Sequence, residues 1–225
     1  MLLVDTADQR AILNALCLPG VKGFTTNPTL MARAAGAEAL SLDDYVAAAR
    51  SLCRMSVDVG AIRHLMIQAV GCPDDALKQA TLYVDDLKGA PDKKIWVKLA
   101  PTSASLSCCT ALKQIGCATL VTAVFTATQA YVAMEAGADG VAVYLGRLMR
   151  LETDWENQIE TIAAIVKSAG RTLLLASFPD RHTVDVGLRY SRDITAPPGV
   201  LDELLTSSLS EEAIKGFDEK VAWKG

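Results

Sequence analysis

The chain has 225 residues, 51% of them hydrophobic, with 22 Lys and Arg against 26 Asp and Glu and a formal net charge of −4. That is too apolar for a disordered segment and long enough for one large domain with its own core. The mild acidity offers no basic footprint for nucleic acid, and the 6 cysteines lack paired C-x-x-C spacing, which disfavours a zinc ribbon, a thioredoxin-type site or a disulfide scaffold.

Reduced, mostly buried thiols in a cytoplasmic protein are the simplest reading of Cys17, Cys53, Cys72, Cys108, Cys109 and Cys117. No membrane segment is expected. The start, MLLVDTADQR, meets Asp5 and Asp8 before a signal-like apolar run develops. The longest uncharged stretch, between Lys113 and Glu135, holds Thr and Gln side chains and Gly116, and reads as a strand followed by a helix.

In chain order, strands are expected at Leu2–Asp5, Gly23–Thr26, Leu65–Val70, Ile95–Ala100, Ala118–Val124, Gly140–Leu145, Thr172–Ser177 and Asp193–Ala196. Helical patterns fall at Ala7–Leu16, Pro28–Ala34, Leu42–Cys53, Asp74–Leu87, Ser103–Ile115, Thr126–Ala136, Asp154–Ser168, His182–Arg189, Pro198–Leu205 and Glu211–Ala222. Strands alternating with helices imply right-handed crossovers and a parallel sheet covered on its outside. No G-x-G-x-x-G or G-x-x-x-x-G-K-[ST] motif marks an open nucleotide-binding sheet. The expected fold is therefore a single α/β domain over residues 1–225, a compact (β/α)8 TIM barrel with an additional C-terminal helix.

A barrel carries its chemistry at the carboxyl ends of its strands. The first strand ends in Asp5, and the second runs into Thr25-Thr26-Asn27-Pro28. The next five deliver Gln68, Lys98, Thr122, Tyr144 (followed by Arg147) and Ser177. Lys98 is the sharpest of these. Alternation puts Trp96, Lys98 and Ala100 on one face, with Ile95, Val97 and Leu99 on the other. In a central strand that lysine points into protein, where burial disfavours the ammonium and yields an amine able to attack a carbonyl. The plainer alternative is a lysine reaching from a strand end to the surface.

At these residues the chain resembles the family of small transaldolases and fructose-6-phosphate aldolases, closest to the aldolases. The matching stretches are Leu2–Thr6 (LLVDT), Thr25–Thr29 (TTNPT), Ile95–Thr102 (IWVKLAPT), Val121–Ala130 (VTAVFTATQA), Ala136–Arg147 (AGADGVAVYLGR) and Leu174–Phe178 (LLASF), and they span nearly the whole chain in the family's order. The resemblance implies a class I barrel enzyme without metal or cofactor, acting on a sugar or sugar phosphate.

By the same resemblance Lys98 forms a Schiff base with a ketose, and Asp5 is the acid/base at the C4 hydroxyl. Thr122, Gln68 and Tyr144 orient a water for proton transfers, Asn27 and Thr26 contact substrate, and Arg147 and Ser177 bind its phosphate. Each role has a plainer counterpart: Asp5 as the cap of the following helix, Thr122 bonded to backbone, Arg147 in a surface ion pair. Transaldolases typically carry glutamate and phenylalanine where this chain has Gln68 and Tyr144, whereas Gly146-Arg147 and Asp154-Trp155 look more like the transaldolase pattern. The family usually has a basic residue directly after Ser-Phe. This chain has Pro179 there, with Arg181 two positions on as a replacement charge, so a sulfonated or unphosphorylated sugar stays in view.

Other chemistries are weak. His64 and His182 lack metal-ligand spacing, Ser177 has no nucleophile elbow, and Cys108-Cys109 read as helix core. The tail from Glu211 to Trp223 aligns Ile214, Phe217 and Val221 along one stripe. It resembles the family's terminal helix, which reaches a neighbouring subunit, so a pentameric or decameric homo-oligomer is expected. The rival functions are a transaldolase, which passes the dihydroxyacetone unit to an acceptor, and a non-catalytic sugar-phosphate binding protein.

Overall fold

A computed structural model describes residues 1–220. Eight parallel strands close into a barrel in sequence order. They are β1 Leu2–Asp5, β2 Val21–Thr25, β3 His64–Gln68, β4 Lys94–Leu99, β5 Ala118–Val124, β6 Gly140–Tyr144, β7 Thr172–Ala176 and β8 Asp193–Ala196. The helices are α1 Gln9–Ala15, α2 Pro28–Ala34, α3 Leu42–Val57, α4 Pro73–Asp86, α5 Ser103–Leu106, α6 Cys109–Gln114, α7 Ala127–Glu135, α8 Leu145–Leu151, α9 Trp155–Ser168, α10 Arg181–Gly187, α11 Pro198–Glu203 and α12 Ser208–Asp218. The expected (β/α)8 architecture is the observed one.

Period-2 alternation sorts each strand into two cores. Outward residues such as Val4, Leu65, Ile67, Val97, Val121, Val143 and Leu175 pack under the helices in one large cluster. Inward residues Leu3, Met66, Trp96, Leu120, Ala142 and Leu174 form a second cluster, which plugs the barrel. A filled barrel has no pore, so polar inward residues gather above the plug at the strand ends. One close approach fixes a glycine: Gly23 has φ 150°, and a Cβ there would lie 1.9 Å from the His64 carbonyl oxygen on β3.

Several local expectations are corrected. The strand expected to run to Leu145 stops at Tyr144, and the chain turns straight into α8, which no capping side chain announces. The single helix expected over Ser103–Ile115 is two, α5 and α6, separated by Ser107 and Cys108. Leu42–Cys53 continues to Val57, one further turn whose buried Ser56 follows Leu52 and Cys53 on the packed face. The last helix starts at Ser208 because Ser207 caps it, and Leu209, Ile214 and Phe217 on it are exposed. Val221, Ala222 and Trp223 lie outside the described residues. Among the described residues no helix is long and apolar enough to cross a membrane.

Candidate active site

A cavity of about 120 Å³ opens at the carboxyl ends of the strands, lined by Asp5, Thr25, Asn27, Lys98, Tyr144, Arg147, Ser177 and Thr195 around a floor of Ala142, Leu174 and Ala176. Lys98 is 4% exposed, and its Nζ donates to the Thr26 carbonyl oxygen at 3.0 Å. Burial pushes its ammonium pKa below the ordinary lysine value, and the facing Asp5 carboxylate offsets part of that shift. Asp5 is displaced the other way: burial raises its pKa, against opposing contributions from Lys98 and from the Thr25 hydroxyl. Burial thus favours the neutral form of each group, the amine of Lys98 and the acid of Asp5, and perturbed groups gathered in one cavity mark a candidate functional site.

Asp5 is free for this because it does not cap the next helix. That task falls to Asp8, whose carboxylate accepts from the Ala11 N–H at 2.7 Å. Asp5 instead accepts at 2.6 Å from the hydroxyl of Thr25, its register partner on β2. The Thr25 hydroxyl also lies 2.7 Å from that of Thr195 on β8.

Asn27 is extended, as a residue before proline must be, with φ −154° and ψ 170°. Its Oδ1 caps α2 by accepting from the Leu30 N–H at 3.0 Å, and the residue lines the cavity. Thr26 contributes its carbonyl to Lys98. Its own hydroxyl is buried without a hydrogen-bond partner and does not line the cavity.

Gln68 is paired in register with Lys98 on the neighbouring strand but is not among the cavity-lining residues. Thr122 is 1% exposed, also set back from the cavity, and donates to the Tyr144 phenol oxygen at 3.4 Å. A bulge in β5 between Val121 and Val124, with Ala123 at φ 56°, lifts this strand end.

Tyr144 and Arg147 stand at the other side of the mouth. The Arg147 guanidinium lies 5.3 Å from the Tyr144 ring centroid and makes no ion pair among the described residues. Tyr144 is also braced edge-on by Phe125, centroids 5.9 Å apart. Ser177 sits at the end of β7 with φ 68°. The chain passes so close to α8 there that a Cβ on Gly146 would lie 2.1 Å from the Ser177 carbonyl oxygen and 2.8 Å from the Pro179 Cδ.

Arg181 does not join the site. Asp180 caps α10 through the Thr183 N–H, which makes Arg181 the first helical residue and turns it toward the Thr206 carbonyl, to which it donates. The replacement charge expected from it is absent from the cavity. Thr25 and Thr195, which sequence reasoning assigned no role, are part of the lining. The signal for Thr195 was its place in Asp193–Ala196, where alternation turns it inward beside the first strand.

Fold and site together define a parallel α/β-barrel enzyme with its polar groups gathered at the strand carboxyl ends. The family profile described as Transaldolase/Fructose-6-phosphate aldolase matches residues 2–224, and the chain belongs to that family. It is similar to "Probable transaldolase 2" of Bacillus anthracis, 29% identical over 95% of this chain and 94% of that protein. It is also similar to a "Probable transaldolase" of Desulforapulum autotrophicum, 31% identical over 95% and 94%. Among solved structures, 2,3-dimethylmalate lyase aligns with TM-score 0.62 at 13% identity, over 97% of this chain and 80% of that one. Thiamine phosphate pyrophosphorylase from Pyrococcus furiosus aligns with TM-score 0.57 at 17%, over 90% and 92%. These two likenesses concern the barrel fold alone.

Proposed function

We propose that the protein is a Schiff-base aldolase that cleaves or forms the C3–C4 bond of a ketose such as fructose 6-phosphate, with dihydroxyacetone as the released or donated unit. The observation that carries this reading is Lys98, buried on β4 in a polar cavity with Asp5 opposite it. The neutral amine attacks the C2 carbonyl, and loss of water leaves a protonated imine. The iminium draws the electrons of the C3–C4 bond as Asp5 takes the C4 hydroxyl proton, which releases an aldehyde and leaves an enamine. Protonation at C3 and hydrolysis free dihydroxyacetone and restore the amine.

Tyr144, with Thr122 behind it and Gln68 beside Lys98, supplies neutral hydrogen-bonding groups that orient water without adding charge next to the imine. Arg147 has its guanidinium free at the mouth, and with Ser177 it supports recognition of an anionic tail. With Arg181 turned away, Arg147 is the one cation besides Lys98 lining the cavity among the described residues, which also suits a singly charged or sulfonated tail.

Transaldolase is the second reading, favoured by the names of the relatives. Supplying the ketose phosphate alone separates the two: steady release of dihydroxyacetone marks the aldolase, and strict dependence on an acceptor aldehyde would establish the transferase instead. Borohydride reduction with substrate present tests the lysine itself. A mass increase located on Lys98 and lost in Lys98→Met is the expected result, and an adduct that survives the substitution would sink the mechanism. The exposed Leu209, Ile214 and Phe217 on α12 support assembly with further copies of this chain. Ile214→Glu with Phe217→Glu should then lower the mass measured by light scattering, and an unchanged mass would assign that face no role in assembly.

A further inference from the structure

Three side chains lining the cavity form a continuous hydrogen-bonded file, from Thr195 on β8 through Thr25 on β2 to Asp5 on β1, the strand that lies between those two. Each hydroxyl has one proton to give, and an ionised carboxylate only accepts. The Thr25 proton is committed to Asp5 at 2.6 Å, so the 2.7 Å contact between the two hydroxyls must be filled by the Thr195 proton. The file therefore runs from Thr195 through Thr25 to the carboxylate, and both threonines are buried, at 2% and 0% exposure. When Asp5 is protonated the direction reverses: Asp5 donates to Thr25, and Thr25 donates to Thr195. A single hydroxyl would have no acceptor for its own proton in that state. Thr195 supplies the acceptor that the Thr25 proton then needs, so the Asp5–Thr25 bond persists in both states.

We propose that Thr195 is a positioning residue for Asp5, acting through Thr25 to hold the carboxylate oriented and hydrogen-bonded in both of the protonation states that a catalytic acid/base passes through. This rests on the reading of Asp5 as the acid/base of a lysine-dependent aldolase. Bonds in such a file polarise one another, so the donation from Thr195 strengthens the Thr25 bond to the anion. The other ionisable groups facing Asp5 across the cavity are Lys98 from β4, Tyr144 from β6 and Arg147 from α8. None of them is a hydrogen-bond partner of Asp5 or of Thr25.

The test uses Thr195→Val, which keeps the shape and removes the hydroxyl, and Thr195→Ser, which keeps the hydroxyl. Fructose 6-phosphate cleavage is followed across pH, and borohydride trapping with dihydroxyacetone is run in parallel. For Thr195→Val the expected result is a kcat roughly two- to fivefold lower at unchanged KM. The acidic limb of the kcat profile should move upward, because the anionic form of Asp5 has lost support, while the Lys98 adduct still forms. Thr195→Ser should restore both kcat and the limb. A kcat and limb equal to wild type in Thr195→Val would overturn the proposal, as would a slower enzyme whose limb does not move or which serine fails to rescue. Failure of wild-type protein to give any Lys98 adduct would instead overturn the Schiff-base reading, and this proposal with it.

Discussion

The mouth of the barrel has two unlike arcs. Along β8, β1, β2 and β4, the Thr195, Thr25, Asp5 and Lys98 side chains are joined to one another or to backbone within the protein. Along β6, α8 and β7, by contrast, Arg147 is exposed, lies over the face of Tyr144 and makes no ion pair among the described residues, and Ser177 holds a left-handed backbone conformation at a tight crossing. The first arc is fixed before any substrate arrives, which suits groups that must act on developing charge without rearranging. The second leaves its strongest donor unspent, which suits recognition of an anion that differs from one substrate to another. On the proposed reading, chemistry and specificity are carried by different strands, and substitutions should separate them.

The largest effect is expected at Lys98. Lys98→Met should lower cleavage at least about a thousandfold, since the covalent route is lost. Its effect on the fold has two opposed parts: a buried amine is removed, and the buried Asp5 and the Thr26 carbonyl lose the group that faces them. The pH dependence has a definite sign. The folded-state pKa of Lys98 is depressed, so the stability tied to this group is complete above the unfolded lysine pKa and is lost as pH falls toward the folded value. The Tm of Lys98→Met measured against wild type should accordingly be more favourable at neutral pH than above about pH 10.5, the unfolded lysine range. A difference that grows more favourable toward alkaline pH would show that Lys98 is not buried as an amine.

On the second arc the largest change is steric. Gly146→Ala puts a methyl 2.1 Å from the Ser177 carbonyl oxygen, and backbone cannot yield there without moving β7 off α8. Overpacking of this kind costs about 1–3 kcal/mol, read as a shift in the denaturant midpoint. Cleavage of an anionic ketose should suffer in KM more than dihydroxyacetone trapping on Lys98 does, because the displaced segment carries Ser177 and not the lysine. Equal damage to both would dissolve the distinction between the arcs.

Arg147→Ala should be gentler. With no internal ion pair to break among the described residues, the fold is spared, and the KM for an anionic ketose should rise about tenfold to a hundredfold, the scale of one lost hydrogen-bonded charge pair. The kcat and the KM for dihydroxyacetone should stay near wild type. An equal rise for the uncharged donor would remove Arg147 from anion recognition.

The first arc was more legible in the sequence than the second, and the reason is physical. Lys98 stands out because an ionic side chain alternates with Trp96 inside an otherwise apolar strand, a pattern that local structure alone does not explain. Asp5 was ambiguous between cap and cavity until the backbone placed Asp8 at the start of α1, three residues before the N–H that it accepts. Thr25 and Thr195 went unassigned because their partnership joins residues 170 positions apart, and neither looks unusual within its own strand. On the second arc, α8 escaped notice because β6 runs directly into it at Tyr144 with no Gly, Pro or capping side chain between. Arg181 was misplaced for the opposite reason. Its distance from Ser177 in sequence suggested the cavity, but Asp180 and Thr183 begin a helix there and swing the guanidinium outward. The spacing of Asp180 and Thr183 is the visible cue that a helix start intervenes.

The smallest effect, and the finest test of the second arc, is Ser177→Gly. Serine at φ 68° holds a conformation that costs an ordinary residue about 1–2 kcal/mol, and glycine adopts it without that penalty. Glycine also loses more chain entropy on folding, about 0.5–1 kcal/mol, so the net gain in stability should be from nothing to about 1.5 kcal/mol. If serine is kept for its hydroxyl at the anion, the more stable variant will bind an anionic ketose worse, with KM raised severalfold and dihydroxyacetone unaffected. Strain maintained at a position where glycine would fold better then has a functional cause. If Ser177→Gly gains stability and loses nothing toward the anion, the strain at this crossing serves only the packing of β7 against Gly146. Recognition on the second arc would then rest on Arg147 alone.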